Sequence, residues 1–241
     1  DLAMENGEKY EKDNIEIPGV RIRKHYNKVK DVRTTLVKIE TEHGARLMEK
    51  PIGTYITMEA PSLAVSDEDY HQEISLELSR HLKKLLPEKL NSVLVVGLGN
   101  QDVTPDALGP AVISNLHITR HLIREYGFGG PGTRNCPMVS SLVPGVMAQT
   151  GMETLEILQG VVEKTHPDVA VVIDALAARN TKRLNCTIQL TDTGISPGSG
   201  VGNHRCGLTK ETLGIPVIGI GIPTVVDAGT IVPVSYTHLT L

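Results

Sequence analysis

The sequence predicts an α/β fold with a mainly parallel, twisted sheet and helices on both faces. Three short apolar runs suit parallel strands that are buried on both sides; they are Val93–Val96, Val169–Ile173 and Val217–Ile220. Two amphipathic stretches, Ala107–Glu125 and Thr154–Lys164, lie between these runs. Strands that alternate with helices are typical of a sheet built by right-handed crossovers, and this alternation carries the prediction.

The region before Val93 is predicted to add two strands and one long helix. Val32–Glu40 alternates between apolar and polar residues as a half-buried strand does, and Tyr55–Glu59 is a second strand candidate. Ser66–Leu86 combines helical apolar spacing with an acidic first turn. Residues 1–30 are polar and charge-rich, so we predict a loosely held arm there.

Composition and charge argue against several classes of protein. The chain has 24 Lys and Arg against 28 Asp and Glu, a formal charge of -4. This charge gives no electrostatic reason to expect binding to nucleic acid or to an anionic membrane, although a local basic patch stays open. No apolar run reaches the roughly 18 residues of a membrane helix. The 3 cysteines form no CxxC pair, which argues against a disulfide framework or structural zinc and favours a reducing cytosol.

Two aspartates lie where an α/β sheet places its ligands, outside the carboxyl ends of the strands. Asp106 follows the first apolar run after a glycine-rich turn, and Asp174 follows Val169–Ile173 directly. If the two strands are neighbours, the carboxylates meet in one crevice. Unequal ionisation there would supply an acid and a base for water-mediated peptide cleavage. A structural alternative stays open, in which Asp106 belongs to the first turn of a helix and Asp174 caps another.

Two glycine-rich stretches indicate loops and not a nucleotide-binding fingerprint. Gly97–Asn100 reads GLGN, but Asp102 stands where a dinucleotide-binding motif needs its third glycine. Asp192–Gly207 is too long and glycine-rich for a regular element, so it is either a functional loop over the crevice or a flexible surface loop. His204 within it is a candidate proton carrier or metal ligand, with a solvated loop histidine as the alternative.

Several segments, read together and in order, resemble the germination protease of endospore-forming bacteria. They are VLVVGLGNQDVTPDALGP, SLVPGVMAQTGMET, VVIDALAARN, TIQLTDTGISPGSGVGN and ETLGIPVIGIGIPTVVDA, and PIGTYITMEAP at Pro51–Pro61 fits as well. The resemblance extends from about Asp31 to Asp227. A match of this length is far more specific than any single aspartate.

The resemblance implies an endopeptidase that starts the degradation of small acid-soluble spore proteins when a spore germinates, in the cytoplasm of the forespore or spore core. It also implies a fold similar to that of the hydrogenase maturation proteases, an inactive precursor and a homotetramer. We expect no cofactor and neither nucleic acid nor membrane as a partner. The first residues, Asp1–Glu5, resemble the family's processing segment, with Asp1 before the scissile bond and Leu2 as the mature N-terminus.

The family's two essential aspartates fall in the TPDALGP and IDALA motifs, at Asp106 and Asp174 here. The resemblance therefore implies an atypical aspartic peptidase, for which we expect one carboxylate to activate water while the other protonates the leaving amine. Other loop residues are expected to bind substrate or to support the aspartates: Asn100, Thr104, Ser199, Gly200, Asn203 and His204.

Two other functions stay open at the level of sequence. The related hydrogenase maturation proteases bind nickel through acidic residues at similar places, so a metal-dependent maturation-type protease, with His204 as a third ligand, is the first. We rank it below a metal-free site. A non-enzymatic module that holds a nucleotide or anion in the glycine-rich loops is the second, and the poor match to phosphate-binding motifs counts against it.

We expect the α/β peptidase domain to occupy residues 31–231, between the arm of residues 1–30 and a tail of residues 232–241. The tail, VPVSYTHLTL, has no clear period or cap, so it is either a weak strand or foreign sequence, and it does not resemble family sequence. The family continues beyond the segment that ends at Asp227 with further, largely helical sequence. The expectation is therefore a C-terminally truncated chain with a non-native tail.

Overall fold

A computed structural model describes residues 17–64, 68–134, 136–178, 180–196 and 206–226. Within these ranges the strands are β1 (Val20–Asn27), β2 (Val32–Ile39), β3 (Gly53–Glu59), β4 (Ser92–Gly97), β5 (Met138–Leu142), β6 (Val169–Ala178), β7 (Thr187–Thr191) and β8 (Val217–Val226). The helices are α1 (Glu42–Met48), α2 (Glu68–Leu85), α3 (Leu108–Ser114), α4 (Arg120–Tyr126), α5 (Met147–Thr150), α6 (Thr154–Thr165) and α7 (Lys210–Leu213). Short 3-10 turns lie at Pro61–Ala64, Thr104–Asp106 and Thr181–Arg183.

The described strands form one 8-stranded mixed sheet in the order β1-β2-β3-β7-β8-β6-β4-β5. The four strands β8, β6, β4 and β5 are parallel to one another, and they form its parallel half. Strands β1, β2, β3 and β7 pair antiparallel and join this half through the antiparallel pair β7–β8. The predicted α/β class is confirmed, with its parallel strands concentrated in the half that the apolar runs had indicated.

Helices cover both faces of the parallel half, as predicted. Successive side chains of a strand point to opposite faces, so β4 divides its apolar residues between two clusters. Leu94 and Val96 are buried with Leu158 of α6 on one face. Val93 and Val95 are buried on the other face, where Val112 of α3 packs against them. Burial on both sides explains why these strands read as continuous apolar runs.

The antiparallel half is also covered on both faces. Val32 and Met58 lie in one cluster with Ile74 of α2. On the opposite face, Val37 of β2 packs in a cluster that contains Met48 of α1. Val32 and Val37 lie in opposite clusters because side chains alternate between the two faces of a strand. Strand β2 therefore buries both its faces.

Two predicted segments have a different structure from the one expected. Residues 1–30 were predicted to be a loosely held arm, but Val20–Asn27 forms edge strand β1, paired antiparallel with β2. The helix predicted over Ala107–Glu125 is divided into α3 and α4. The break occurs because the Thr119 side chain is hydrogen-bonded to the start of β5. Its hydroxyl donates to Pro137 O at 2.6 Å and accepts the Val139 N–H at 2.8 Å. Among the described helices, none is long and apolar enough to cross a membrane.

Candidate active site

Asp106 ends the 3-10 turn that follows β4, directly before α3. Pro105 lies at the start of this turn, where its missing N–H costs no hydrogen bond. The Asn100 N–H donates to Oδ2 of Asp106 at 2.7 Å, and the Asp106 N–H donates to Val103 O at 2.8 Å. The half-buried carboxylate is therefore held in a fixed orientation against the GLGN turn. The structural alternative placed Asp106 in the first turn of a helix, but Asp106 lies in the 3-10 turn before α3, and the first turn of α3 contains no acidic residue.

Gly99 is the residue that lets the turn close on Asp106. It has a φ of 115°, which residues with a side chain rarely adopt. A Cβ built on Gly99 would overlap the carbonyl oxygen of Asp106 and would lie 3.1 Å from its Oδ1. The sequence analysis assigned these glycines to a tight turn, and the structure adds that the turn presses against the aspartate itself.

Asp174 lies inside a strand and not after its end. Strand β6 continues to Ala178, so the prediction that Asp174 directly follows the strand was wrong, and so was the alternative that it caps a helix beginning at Ala175. The full length of β6 was not predicted because the apolar run stops at Ile173. The hydrogen-bond ladder with β8 continues beyond it and pairs Asp174 with Gly221. Asp174 is only 6% exposed, which is unusual for a carboxylate.

One short segment, Leu98–Asn100, donates a hydrogen bond near Asp174 and another to Asp106. The Leu98 N–H donates to Ile173 O at 2.8 Å, next to Asp174, and two residues later the Asn100 N–H holds Asp106. Strands β4 and β6 are parallel neighbours, so their carboxyl-terminal ends meet at one edge of the sheet. The structure therefore brings both aspartates to the same edge, although Asp174 lies within β6 and not after it.

The other predicted site residues divide into two groups. Asn100 contacts Asp106 directly, and its side chain also accepts the Asp102 N–H at 3.0 Å, which stabilises the turn. Thr104 begins the 3-10 turn and is exposed. The remaining predicted residues lie outside the described part of the chain: Asp1, Leu2, Ser199, Gly200, Asn203 and His204.

Sequence reasoning missed Thr224 of β8. Its hydroxyl donates to Pro105 O at 2.6 Å, which ties β8 to the turn that carries Asp106. The only available signal was a polar residue near the end of the apolar run in GIGIPTVV, directly after Pro223. Within the described residues, no group of three or more His, Cys, Asp and Glu side chains is arranged to hold a metal ion.

Comparison with known proteins extends the resemblance over nearly the whole chain. The family model described as germination protease matches residues 1–239, which include the arm and most of the tail that the sequence analysis set apart. The germination protease of Caldanaerobacter subterraneus is 51% identical over 235 residues, covering 96% of this chain and 70% of that protein. The one from Clostridium tetani is 48% identical over 233 residues, covering 96% and 71%.

A third germination protease, from a Geobacillus strain, is 49% identical over 225 residues, which cover 89% of this chain and 58% of that protein. Identities near one half over nearly the full chain are too high for a chance or fold-level likeness. The range that the family model matches spans Asp106, Asp174 and the turn between β4 and α3. The chain belongs to the germination protease family.

Proposed function

We propose that this protein is an endopeptidase that initiates the degradation of small acid-soluble spore proteins during germination, and that Asp106 and Asp174 perform the hydrolysis. Membership of the germination protease family supports the peptidase activity. The observation that carries the assignment to these residues is the segment Leu98–Asn100, which donates one N–H beside Asp174 and another to the Asp106 carboxylate.

The two carboxyl groups lie in unequal surroundings, which suits a division into acid and base. Asp174 is 6% exposed within a parallel strand, whereas Asp106 is half-buried on a turn above the sheet edge. Hydrolysis by a pair of carboxyl groups needs one that is protonated and one that is ionised. The ionised group would activate water and the protonated group would donate to the leaving amine.

The remaining features rest on the family resemblance alone and are part of the proposal. The enzyme is made as an inactive precursor, which processes itself between Asp1 and Leu2. It assembles as a homotetramer and acts in the spore core. It uses no metal or other cofactor and binds neither nucleic acid nor membrane.

The test is digestion of a purified small acid-soluble spore protein, with the cuts mapped by mass spectrometry. Asp106→Asn and Asp174→Asn should each lower the cleavage rate by about 10³-fold or more, since each removes a proton-transfer group at little change in volume. Asp102→Asn is the matched control, because Asp102 lies exposed in the same loop. This variant should cleave the substrate at the wild-type rate.

Wild-type activity in either folded active-site variant would contradict the proposed chemistry. Digestion in the presence of a strong chelator separates the metal-dependent alternative, because the proposed mechanism predicts an unchanged rate. Circular dichroism of every variant confirms that a lost rate does not reflect a lost fold.

A further inference from the structure

The turn that carries Asp106 is closed mainly by contacts within itself. Asn100 N–H reaches the Asp106 carboxylate, Val103 N–H reaches Asn100 O at 3.2 Å, and Ala107 N–H reaches Thr104 O at 3.3 Å. These bonds fix the shape of the turn, and the Leu98 N–H attaches its start to Ile173 of β6. A further contact has to place the other end of the turn, which carries Asp106, relative to the sheet.

Thr224 supplies such a contact. Its Oγ1 donates to Pro105 O at 2.6 Å across 119 residues of sequence, and Pro105 immediately precedes Asp106. The acceptor is the carbonyl of the residue joined to Asp106 by a peptide bond, so a shift of this carbonyl moves Asp106 with it. Thr224 attaches the turn to β8, and β8 is paired directly with β6, the strand that contains Asp174.

The backbone around Thr224 is shaped for this contact. Along the pair β6–β8, Leu176 faces Pro223 and Ala177 faces Val225, so Thr224 is skipped in the register. Such an extra residue is a β-bulge, which is rare between parallel strands and re-aims the bulged side chain. Pro223 has no N–H to donate to the ladder, and its carbonyl accepts the Asn185 N–H at 2.8 Å. The bulge therefore releases Thr224 from the ladder and lets its hydroxyl reach the turn.

We propose that Thr224 is a positioning residue for the peptidase reaction: its bulged hydroxyl sets the placement of Asp106 relative to Asp174. This inference rests on the proposed role of the two aspartates. A misplacement of about 1 Å can cost an enzyme about 10²-fold in rate, so one hydrogen bond at the base of a catalytic turn is enough to matter. Thr224 need not touch the substrate for this effect.

The experiment compares Thr224→Val with Thr224→Ser in the full chain, with a small acid-soluble spore protein as substrate. Valine keeps the shape and removes the hydroxyl, and we expect kcat to fall by about 10-fold or more while KM stays within about 2-fold. Serine keeps the hydroxyl and should restore most of kcat. Hydrogen exchange of the peptide covering residues 98–107 should speed up in the valine variant and not in the serine variant.

Thr119→Val is the matched control, because the Thr119 hydroxyl also donates to a proline carbonyl at 2.6 Å, but at the amino-terminal side of β5. It should lower the melting temperature and leave kcat unchanged. If Thr224→Val behaves like this control, with full kcat while Asp106→Asn is inactive, the positioning role is wrong and the proposed function stands. Activity in Asp106→Asn would overturn both, since Thr224 would then hold an aspartate that does no chemistry.

Discussion

The two ends of the parallel strands β4 and β6 use aspartate in opposite ways. At the amino-terminal ends, Oδ2 of Asp168 accepts the N–H groups of Asn91 and Ser92 at 2.7 and 2.8 Å. The Asp168 N–H in turn donates to the Ser92 hydroxyl at 3.1 Å. At the carboxyl-terminal ends, a carboxylate oxygen of Asp106 accepts the Asn100 N–H, and Asp174 lies within β6.

The difference between the two ends follows from how the chain connects to the strands. At the amino-terminal end Asp168 directly precedes β6, and its carboxylate contacts the residues that begin β4, so it joins the two strands. At the other end a long connection between β4 and α3 carries Asp106, at the edge of a parallel sheet where α/β proteins commonly bind ligands. The same side chain is therefore structural at one end and a candidate for catalysis at the other.

The largest effect that would sharpen this comparison is expected from Gly99→Ala at the carboxyl-terminal end. The new Cβ would overlap the Asp106 carbonyl oxygen, and alanine is strained at a φ of 115°. The turn must move, and Asp106 with it, so we expect the cleavage rate of a small acid-soluble spore protein to fall by about 10²-fold or more.

Gly151→Ala separates displacement of Asp106 from the general strain of alanine at a positive φ. Gly151 has a φ of 69° and no heavy atom within 4 Å of a built Cβ. Its variant should lose about 1 kcal/mol of stability by urea unfolding and keep its cleavage rate. Equal rates for Gly99→Ala and wild type would show that the position of this turn does not matter to the reaction.

The parts of the fold that sequence could predict are those whose signal is local. The apolar runs of β4, β6 and β8 and the amphipathic helix α6 follow from burial within one segment. Edge strand β1 was missed because four consecutive residues, Arg23–Tyr26, are exposed and read as solvated chain. Charged side chains are common on edge strands because they discourage the unpaired backbone groups from pairing with another chain.

In the candidate site, too, the features with a local sequence signal were predicted and those that depend on distant pairing were not. Asp106 and Asp174 were identified because each follows an apolar run, and their motifs made the resemblance specific. The continuation of β6 past Asp174 and the bulge at Thr224 depend on the register between β6 and β8, whose paired residues, such as Asp174 and Gly221, are far apart in the sequence. A pairing between distant strands leaves no local pattern, so neither feature could be derived from the sequence.

A smaller effect is expected at the amino-terminal end, from Asp168→Asn. The amide keeps one acceptor oxygen but loses the charge that strengthens the bonds from Asn91 and Ser92. Asp168 is partly exposed and solvent screens its charge, so we expect a loss of about 1 kcal/mol in urea unfolding. The cleavage rate should match wild type. A large loss of activity in the folded variant would contradict the division of roles between the two ends.

The smallest effect is the pH dependence that Asp168 gives to stability. Hydrogen bonds from the backbone N–H groups of Asn91 and then Ser92 lower the pKa of Asp168 in the folded state. Because this pKa is lower in the folded than in the unfolded state, the Asp168 carboxylate contributes fully to the free energy of unfolding above the unfolded-state pKa of about 3.9. The contribution is lost as pH falls through the folded-state pKa. The difference in unfolding free energy between wild type and Asp168→Asn should therefore be constant from pH 5 to pH 7 and shrink below about pH 4. A difference that stayed constant to pH 2 would mean that the carboxylate charge does not contribute, and that Asp168 joins β4 to β6 by shape and neutral hydrogen bonds alone.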